Sequence, residues 1–231
     1  MDEKVSTEAV KFIKSHRKDL IERFAGDVLY SQEKNPVSIF MAGSPGAGKT
    51  EFSRRFLKVN KLNMVRIDAD DVKEFIPQYD KKNSSDVQGA SSLGVEKLYD
   101  YVLKAKKSDI LDGTFAYYEK VKSNIERSLK YGRYVSIFYV YQNPLVAWKF
   151  TKAREALEGR NVPKDVFVDA LFQAKENVNK IKLEFGKNVH LNVIIKNFES
   201  STEETHLEVG NVDQYVTINY SKEVLLDSLS I

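Results

Sequence analysis

The sequence predicts an α/β fold in which a mostly parallel sheet of about five strands carries helices on both faces, as a three-layer sandwich. Two observations support this prediction. Short apolar runs typical of strands alternate with longer segments of helical spacing between residues 36 and 195. A glycine-rich loop at residues 43–50 joins the first of these strands to a helix. Such alternation is typical of parallel sheets, whose ligands bind at the carboxyl ends of the strands.

The predicted elements follow one another in a regular order. A first helix is predicted over residues 6–30, with Ser6 or Thr7 as its cap. The strands are predicted at residues 36–42, 63–68, 109–114, 134–141 and 189–195. The helices between them are predicted at residues 50–57, 92–107, 118–131, 144–158 and 163–185.

The chain is expected to divide into three parts. An N-terminal helical segment covers residues 1–30, the central α/β domain covers residues 31–197, and a small C-terminal extension covers residues 198–231. Within the extension we expect a loop followed by a small strand and a short final helix. The expected positions are a loop at residues 198–204, a strand at residues 215–218 beside residues 207–209, and a helix at residues 221–229.

The amino-acid composition excludes several classes of partner and of site. Of the 231 residues 42% are hydrophobic, which is enough for a substantial core. The net charge of +3 gives no strong attraction to nucleic acid or to a membrane surface, so neither is an expected partner. There is no cysteine, which excludes disulfides and thiolate metal sites. The longest apolar runs are of strand length and the first residues are acidic, so we expect a cytoplasmic protein.

The glycine-rich loop has the pattern G-x-x-x-x-G-K-[ST], which makes the predicted fold of the P-loop NTPase type. In such a loop the backbone N–H groups surround the phosphates of a nucleotide, and the helix that follows directs its positive end toward them. Lys49 is expected to reach the outer phosphates, and the Thr50 hydroxyl is expected to ligate Mg²⁺. The predicted nucleotide-binding residues are Gly43, Ser44, Pro45, Gly46, Ala47, Gly48, Lys49 and Thr50.

Among P-loop proteins, the sequence favours a small kinase. It has no Asn-Lys-x-Asp segment of the kind that reads guanine, which disfavours a GTPase. Motor ATPases usually carry four apolar residues before a paired Asp-Glu, whereas residues 110–113 read Ile-Leu-Asp-Gly. A kinase needs a group that orients the acceptor hydroxyl and cations over the transferred phosphoryl group.

Carboxylates follow the second predicted strand, where an acceptor hydroxyl would meet the terminal phosphate. In extended backbone Asp68 and Asp70 share one face, so both are predicted to point into the cleft. The alternative is that Asp70 or Asp71 caps a helix beginning near Val72. We predict a catalytic role for Asp70, and both roles are compatible because three carboxylates are present.

Two arginines are the candidate cations. Arg154 and Arg160 lie six residues apart on one predicted helix, and Gly159 and Pro163 indicate that this helix ends close to Arg160. The planar guanidinium group matches phosphate oxygens and stays charged. Without other indications, a solvated surface position is the commoner fate of such residues.

These residues together resemble the zeta toxin family, and in particular its compact Gram-negative members. The resemblance covers residues 30–197 and rests on four segments in order, which are the P-loop, Ile67-Asp68-Ala69-Asp70-Asp71, Asp112-Gly113-Thr114, and Arg154-Glu155-x-x-x-Gly159-Arg160-x-x-Pro163. It implies an ATP-dependent kinase that phosphorylates the 3′-hydroxyl of the amino sugar in UDP-N-acetylglucosamine, and so drains a cell-wall precursor. It also implies a small antitoxin protein as partner.

The resemblance assigns a role to each matched residue. Lys49 and Thr50 would hold ATP and Mg²⁺, and Asp70 would act as base on the sugar hydroxyl. Arg154 and Arg160 would neutralise the transferred phosphate. The implied substrate-binding residues are Asp68, Asp112 and Thr114.

The sequence departs from the family pattern at two positions. Ala116 replaces a basic or polar residue, and Asp112 stands where the family usually has Glu. Two alternatives therefore stay open, a P-loop kinase for a nucleoside, an antibiotic or a polynucleotide end, and a nucleotide-binding switch that transfers nothing. No antitoxin-like helical domain is evident, although residues 1–30 are a candidate for a short intrinsic cover.

Overall fold

The computed structural model describes residues 2–158, 161–198 and 202–229. Within these residues the strands form one sheet of six strands in the order β2-β3-β1-β4-β5-β6. Strands β1 to β5 pair in parallel, and β6 pairs antiparallel with β5. The strands are β1 (Val37–Ala42), β2 (Val65–Asp68), β3 (Asp109–Asp112), β4 (Tyr134–Gln142), β5 (Val189–Asn197) and β6 (Thr202–His206).

The helices cover both faces of the sheet, which confirms the predicted three-layer α/β fold. They are α1 (Glu3–Ser15), α2 (Arg17–Ala25), α3 (Lys49–Val59), α4 (Ala69–Lys73), α5 (Gln88–Lys104), α6 (Tyr118–Lys130), α7 (Pro144–Glu158), α8 (Lys164–Phe185) and α9 (Lys222–Ser228), with a short 3₁₀ helix at Gly186–Asn188. No helix in the described parts of the chain is both long and apolar enough to cross a membrane.

The central strand β1 shows how the layers are built. Its side chains alternate between the two faces of the sheet because successive residues of a strand point in opposite directions. Phe40 and Ala42 join a large core beneath α5, α6 and α8. Ile39 and Met41 join a smaller core beneath α3, which contributes Phe52.

The N-terminal segment forms two helices, so the prediction of one helix over residues 6–30 was wrong. Asp2 caps α1 by accepting from the Lys4 and Val5 amides, and neither Ser6 nor Thr7 does so. The break falls at His16, whose backbone leaves the helical region at φ −103° and ψ 30°. No proline or glycine lies at this break, which is why the sequence pattern did not reveal it.

Helices α1 and α2 belong to the main core. Ile13 and Leu20 are fully buried, and both lie close to Gly94 of α5. A β-carbon at Gly94 would come within 2.6 Å of a Val72 methyl group, so the glycine allows the helices to approach closely. Helices α1 and α2 therefore serve the packing of α5 rather than forming a loose arm.

The C-terminal extension differs from its prediction in one strand. Residues 202–204, the end of the predicted loop, belong to β6 (Thr202–His206) at the edge of the sheet. The strand predicted at residues 215–218 is absent, because a turn ends at Tyr215 and residues 216–218 continue without regular structure, with Val216 buried. The predicted final helix is confirmed as α9, which Ser221 caps through its hydroxyl.

A buried ion pair lies at the opposite end of the sheet from the carboxyl ends of the strands. Arg133 Nη2 donates to Asp109 Oδ1 over 2.8 Å, and both side chains are fully buried. The same guanidinium donates to the carbonyls of Val37 (3.1 Å) and Lys107. Burial raises the pKa of Asp109 to about 7 even though Arg133 and the Ser38 hydroxyl favour its charged form.

Candidate active site

A cleft of about 1000 Å³ lies at the carboxyl ends of the strands. Most of the residues that the sequence analysis selected line this one cleft. They are Pro45, Gly46, Ala47, Gly48, Lys49, Thr50, Asp68, Asp70, Asp112, Thr114 and Arg154. Of the other predicted loop residues, Gly43 and Ser44 are buried beneath it. No described residue of α1 or α2 lines the cleft, so these helices do not cover it.

The loop after β1 has a conformation that its glycines permit. Gly46 has φ +71°, and a β-carbon there would come within 2.0 Å of the Ala147 carbonyl oxygen at the start of α7. A side chain at this position would therefore force α7 away from the loop. Gly48 is the N-cap residue of α3, with φ +85°. Because it has no side chain, it cannot cap the first N–H groups of the helix. The first N–H groups of α3 thus remain directed at the cleft, as in an anion-binding helix start.

Lys49 lies across the loop that precedes it. Its Nζ donates to the carbonyls of Gly43 (2.9 Å) and Ser44 (2.7 Å). The side chain is almost completely buried, yet the residue lines the cleft. The ammonium group is therefore held close to the backbone that is expected to surround the phosphates.

Thr50 and Asp112 meet between α3 and the end of β3. The Thr50 hydroxyl is hydrogen-bonded to the Asp112 carboxylate, and Ser53 Oγ donates to Asp112 Oδ2 over 3.3 Å. Burial and the neighbouring Asp68 raise the pKa of Asp112, whereas Lys49 favours its charged form. A hydroxyl beside a carboxylate is a suitable donor set for Mg²⁺, which prefers oxygen ligands.

The acidic segment after β2 is arranged differently from the prediction. The strand ends at Asp68 and α4 begins at Ala69, so Asp68 and Asp70 do not share a face of extended backbone. Asp68 is the cap, because its Oδ1 accepts from the Asp70 amide over 2.9 Å. The alternative, that Asp70 or Asp71 caps the helix, was therefore wrong. Both Asp68 and Asp70 nevertheless line the cleft.

Asp70 lies in the first turn of α4, on the cleft side. The Nζ of Lys73, a buried side chain one turn later, is 3.5 Å from Asp70 Oδ1 and also donates to Ser84 Oγ over 2.8 Å. Helix α4 packs on α5, so a short helix with a fixed start presents this carboxylate. The arrangement suits a group that must orient a hydroxyl.

Arg66 is a charged residue of the site that the sequence analysis did not select. Its Nη1 donates to Asp68 Oδ2 (2.6 Å) and Asp112 Oδ2 (3.0 Å), and its Nη2 donates to Asp71. The side chain is only 12% exposed. One guanidinium group thus links the C-terminal ends of β2 and β3 to the first turn of α4. One feature of the sequence could have identified Arg66. It precedes Asp68 by two residues, which places both side chains on the same face of β2.

A strained turn carries Thr114. The Thr114 carbonyl accepts from the Gly43 amide over 3.2 Å, so the turn is joined to the phosphate loop. The next residue, Phe115, has φ +67°, which is unusual for a bulky side chain, and its ring is buried. Asn177 of α8 donates to the carbonyls of Phe115 (3.0 Å) and Ala116 (2.9 Å). The sequence analysis missed Asn177 because it lies far along the chain.

The two predicted arginines have different outcomes. Arg154 of α7 lines the cleft and is half-buried. Arg160 lies outside the described residues, so its prediction stays untested.

The two ends of the cleft differ in chemistry. The end at β2 and β3 carries four carboxylates, which belong to Asp68, Asp70, Asp71 and Asp112. The end near α7 and the last residues of β5 combines apolar side chains, which belong to Phe150, Leu157, Val162 and Phe198, with the paired charges of Lys196, Glu51 and Glu203. The phosphate loop follows β1, which lies between these two regions of the sheet.

The zeta toxin family model matches residues 22–209 of this chain. Among curated proteins, the chain is 26% identical over 225 residues to the ATPase subunit HslU of an ATP-dependent protease from Helicobacter pylori strain J99. The HslU of Helicobacter acinonychis matches at the same identity. Each alignment covers 96% of this chain but 46% of the relative, so the chain spans about half the length of the curated relatives it matches.

Solved structures of similar fold include two toxin-related systems. The PezAT chromosomal toxin–antitoxin system of Streptococcus pneumoniae has a chain that matches with a TM-score of 0.64 and 19% identity, covering 96% of this chain and 92% of that chain. The AvrRxo1-ORF1:-ORF2 complex with ATP matches with a TM-score of 0.62 and 14% identity, covering 99% of this chain and 73% of that chain. At these identities the likeness shows the fold.

Proposed function

This chain belongs to the zeta toxin family, and from that membership and the cleft we propose that it is an ATP-dependent phosphotransferase acting on a sugar hydroxyl of UDP-N-acetylglucosamine or a related UDP-sugar. One observation carries the proposal. The phosphate loop and the carboxylate of Asp70 line the same cleft, on neighbouring parts of one sheet edge. This is the arrangement that transfer from a nucleotide to a hydroxyl requires.

We assign ATP binding to the loop and to the start of α3. The backbone N–H groups of residues 46–50 bind the phosphates, and Lys49 exchanges its loop carbonyls for phosphate oxygens. Thr50 and Asp112 would hold Mg²⁺ through their oxygen atoms. When bound, that ion neutralises charge on the phosphates during transfer.

Transfer itself is assigned to Asp70 and the arginines. A bond forms between the acceptor oxygen and the terminal phosphorus, the bond from that phosphorus to the bridging oxygen breaks, and ADP leaves. The hydroxyl proton passes to the Asp70 carboxylate. Arg154, and by analogy Arg160, would stabilise charge on the transferred group.

The sugar-nucleotide acceptor rests on the family resemblance. Thr114, which lines the cleft, is proposed to contact the substrate. Asp68 and Asp112 were expected to do the same. The bonds that both accept from Arg66 favour instead a role in shaping the floor of the site, and the hydrogen bond that Asp112 accepts from Thr50 fits its proposed role beside Mg²⁺.

The acceptor is tested by direct phosphorylation. The purified chain is incubated with Mg²⁺ and ATP in the presence of UDP-N-acetylglucosamine, other sugar nucleotides, nucleosides and oligonucleotides, and products are read by mass spectrometry. We expect one added phosphate on UDP-N-acetylglucosamine. Phosphorylation of a nucleoside with the sugar nucleotide unchanged would defeat the acceptor assignment, and ATP binding without any product would favour a nucleotide switch.

The HslU relatives raise a second possibility, an ATPase that drives protein unfolding. Such ATPases usually pair Asp with Glu after the strand beside the P-loop strand, whereas Asp112 here is followed by Gly113. The kinase is therefore the better-supported function.

An antitoxin partner and a cytoplasmic location follow from the same proposal. A chain of similar fold occurs in a toxin–antitoxin system, which supports an antitoxin partner. ATP and sugar nucleotides are cytoplasmic metabolites, which supports the location. Expression of the chain in bacteria is expected to stop growth with loss of cell-wall integrity. Normal growth with abundant folded chain would argue against a toxic role.

Arg66→Met tests whether Arg66 positions the site. The substitution removes the cation that holds Asp68, Asp71 and Asp112 together, so these carboxylates repel one another. We expect kcat to fall roughly 10- to 100-fold, as for other small misplacements of catalytic groups. Arg66→Lys should recover part of the loss, and the KM for ATP should change less than kcat. Unchanged kcat in Arg66→Met would show that this residue does not position the site.

A further inference from the structure

Arg54 is a cation of the cleft to which the proposed mechanism gives no role. It lies on α3, one turn after Thr50, and lines the same cleft as the phosphate loop. Residues four apart share one face of a helix, so Arg54 lies on the face that Thr50 presents to Asp112. The residue is exposed. Within the part of the chain that the structure describes, its side chain makes no hydrogen bond and no ion pair.

The other cations that line the cleft are already engaged. Lys49 donates to two carbonyls of the phosphate loop. At the end near β5, Arg55 pairs with Glu203, and Lys196 pairs with Glu51 over 3.0 Å. The α7 arginine serves the transferred phosphoryl group in the proposed mechanism. Arg54 is therefore the described cation of the cleft whose charge is left for a further ligand.

The end of the cleft at β2 and β3, where Asp70 receives the acceptor, is acidic. It carries four carboxylates, and two largely buried cations pair with them. The carboxylates belong to Asp68, Asp70, Asp71 and Asp112, and the cations belong to Arg66 and Lys73. Lys49 also attracts Asp112, but it is committed to the phosphates of ATP. This excess of negative charge repels an anionic acceptor unless a further cation faces it.

Arg54 is close enough to this acidic end to act on its charge. Burial raises the pKa of Asp71, whereas Arg66 and, more weakly, Arg54 favour its charged form. Asp70, the proposed base, directly precedes Asp71 in the first turn of α4. The Cα atoms of neighbouring residues are about 3.8 Å apart. A sugar whose hydroxyl contacts Asp70 therefore has its other substituents within reach of the Arg54 side chain.

We propose that Arg54 binds the phosphate groups of the acceptor and so selects a nucleoside diphosphate sugar over a neutral sugar, nucleoside or antibiotic. The planar guanidinium group stays charged and presents paired N–H donors that match two phosphate oxygens. One exposed arginine then offsets the repulsion between the acidic end and an anionic acceptor. The proposal rests on the acceptor part of the proposed function and adds the residue that determines which acceptors bind.

The test measures acceptor binding while the phosphate loop is occupied. Binding of UDP, UDP-N-acetylglucosamine and uridine is measured by calorimetry on the full chain saturated with Mg²⁺ and a non-hydrolysable ATP analogue. In Arg54→Met we expect the two diphosphates to bind roughly 10- to 150-fold more weakly, the contribution of a hydrogen bond between charged groups. Uridine has no phosphate, so its binding should not change. Arg54→Lys should recover part of the loss.

The transfer assay gives a second measurement. The KM for UDP-N-acetylglucosamine should rise in Arg54→Met by a similar factor, with kcat changed less, because the contact is made to the bound acceptor and not to the reacting atoms. The affinity for the ATP analogue should stay within about twofold. Weaker binding of the analogue would overturn the proposal, since Arg54 would then serve the nucleotide.

Lys58→Met is the matched control, because Lys58 is exposed one turn further along the same helix but does not line the cleft. It removes the same charge and should leave UDP binding within about twofold. Equal weakening of UDP in Lys58→Met and Arg54→Met would overturn the proposal, as would a wild-type chain that binds no UDP. UDP binding that depends on Arg54, without any phosphorylated product, would support the anion site and defeat the kinase. Phosphorylation of UDP-N-acetylglucosamine with unchanged KM in Arg54→Met would keep the kinase and overturn the anion site.

Discussion

Replacing Asp70 by Asn is expected to lower kcat about 10²- to 10⁴-fold, the usual contribution of a positioned general base. The amide keeps the size of the side chain but can no longer take the hydroxyl proton. The affinity for ATP should stay within about twofold, because Asp70 belongs to the acceptor end of the cleft and not to the phosphate loop. Single-turnover transfer and calorimetric ATP binding measure the two quantities.

Asp71→Asn is the control for this prediction. Asp71 also lines the cleft, but it pairs with Arg66 and is only the next residue along α4. Its loss should reduce kcat much less than the loss of Asp70. Equal losses of kcat in Asp70→Asn and Asp71→Asn would mean that the carboxylates at this end of the cleft act only through their total charge.

Replacing Arg133 by Met is expected to lower the free energy of unfolding by about 3–5 kcal/mol, because it leaves the buried carboxylate of Asp109 without its partner. It also leaves the Val37 and Lys107 carbonyls without this donor. The pair lies at the opposite end of β3 from the cleft and does not line it, so ATP binding by the folded fraction should not change. Urea denaturation at about pH 8, above the pKa of Asp109, measures the loss.

Lys222→Met is the matched surface control, since Lys222 pairs with Asp169 and both side chains are about half exposed. We expect it to cost about 0–1 kcal/mol, the usual value of such pairs. A loss in Arg133→Met no larger than this would contradict the importance of the buried pair.

The same pair predicts a pH dependence of stability. Because the folded-state pKa of Asp109 is raised to about 7, the folded protein holds a proton there that the unfolded chain releases near pH 4. The contribution of Asp109 is therefore fully present below about pH 4 and is lost as the pH rises to about 7. The free energy of unfolding of wild type minus that of Asp109→Asn should fall across this window. A difference that does not change with pH would contradict the raised pKa.

The central layer could be predicted from local patterns. Strands such as Val37–Ala42 and Tyr134–Gln142 are short apolar runs, and their alternation with helices indicates parallel pairing without further information. The nucleotide loop is predictable for the same reason, since Gly43 to Thr50 lie together in the chain. Asp70 and Arg154 were found because each belongs to a recognisable segment.

Other parts depend on contacts between distant residues. Arg66 looks like an ordinary surface charge until β2 and β3 pair and bring Asp112 beside it. Asn177 acts on a turn 61 residues away. Strand β6 is a polar edge strand, Thr202–His206, whose identity comes from pairing with β5 and not from its own pattern. Secondary-structure propensity and hydrophobic periodicity depend on neighbouring residues in the chain, so they do not predict such features.

A structure with ligands bound tests the account most directly. The chain would be crystallised with Mg²⁺, a non-hydrolysable ATP analogue and UDP-N-acetylglucosamine. We predict a carboxylate oxygen of Asp70 within about 2.6–3.2 Å of a sugar hydroxyl, the reach of a general base. That hydroxyl should face the terminal phosphate held by Lys49. Asp70 turned away from the sugar, or Arg154 on the outer surface with both ligands bound, would contradict phosphoryl transfer in this cleft.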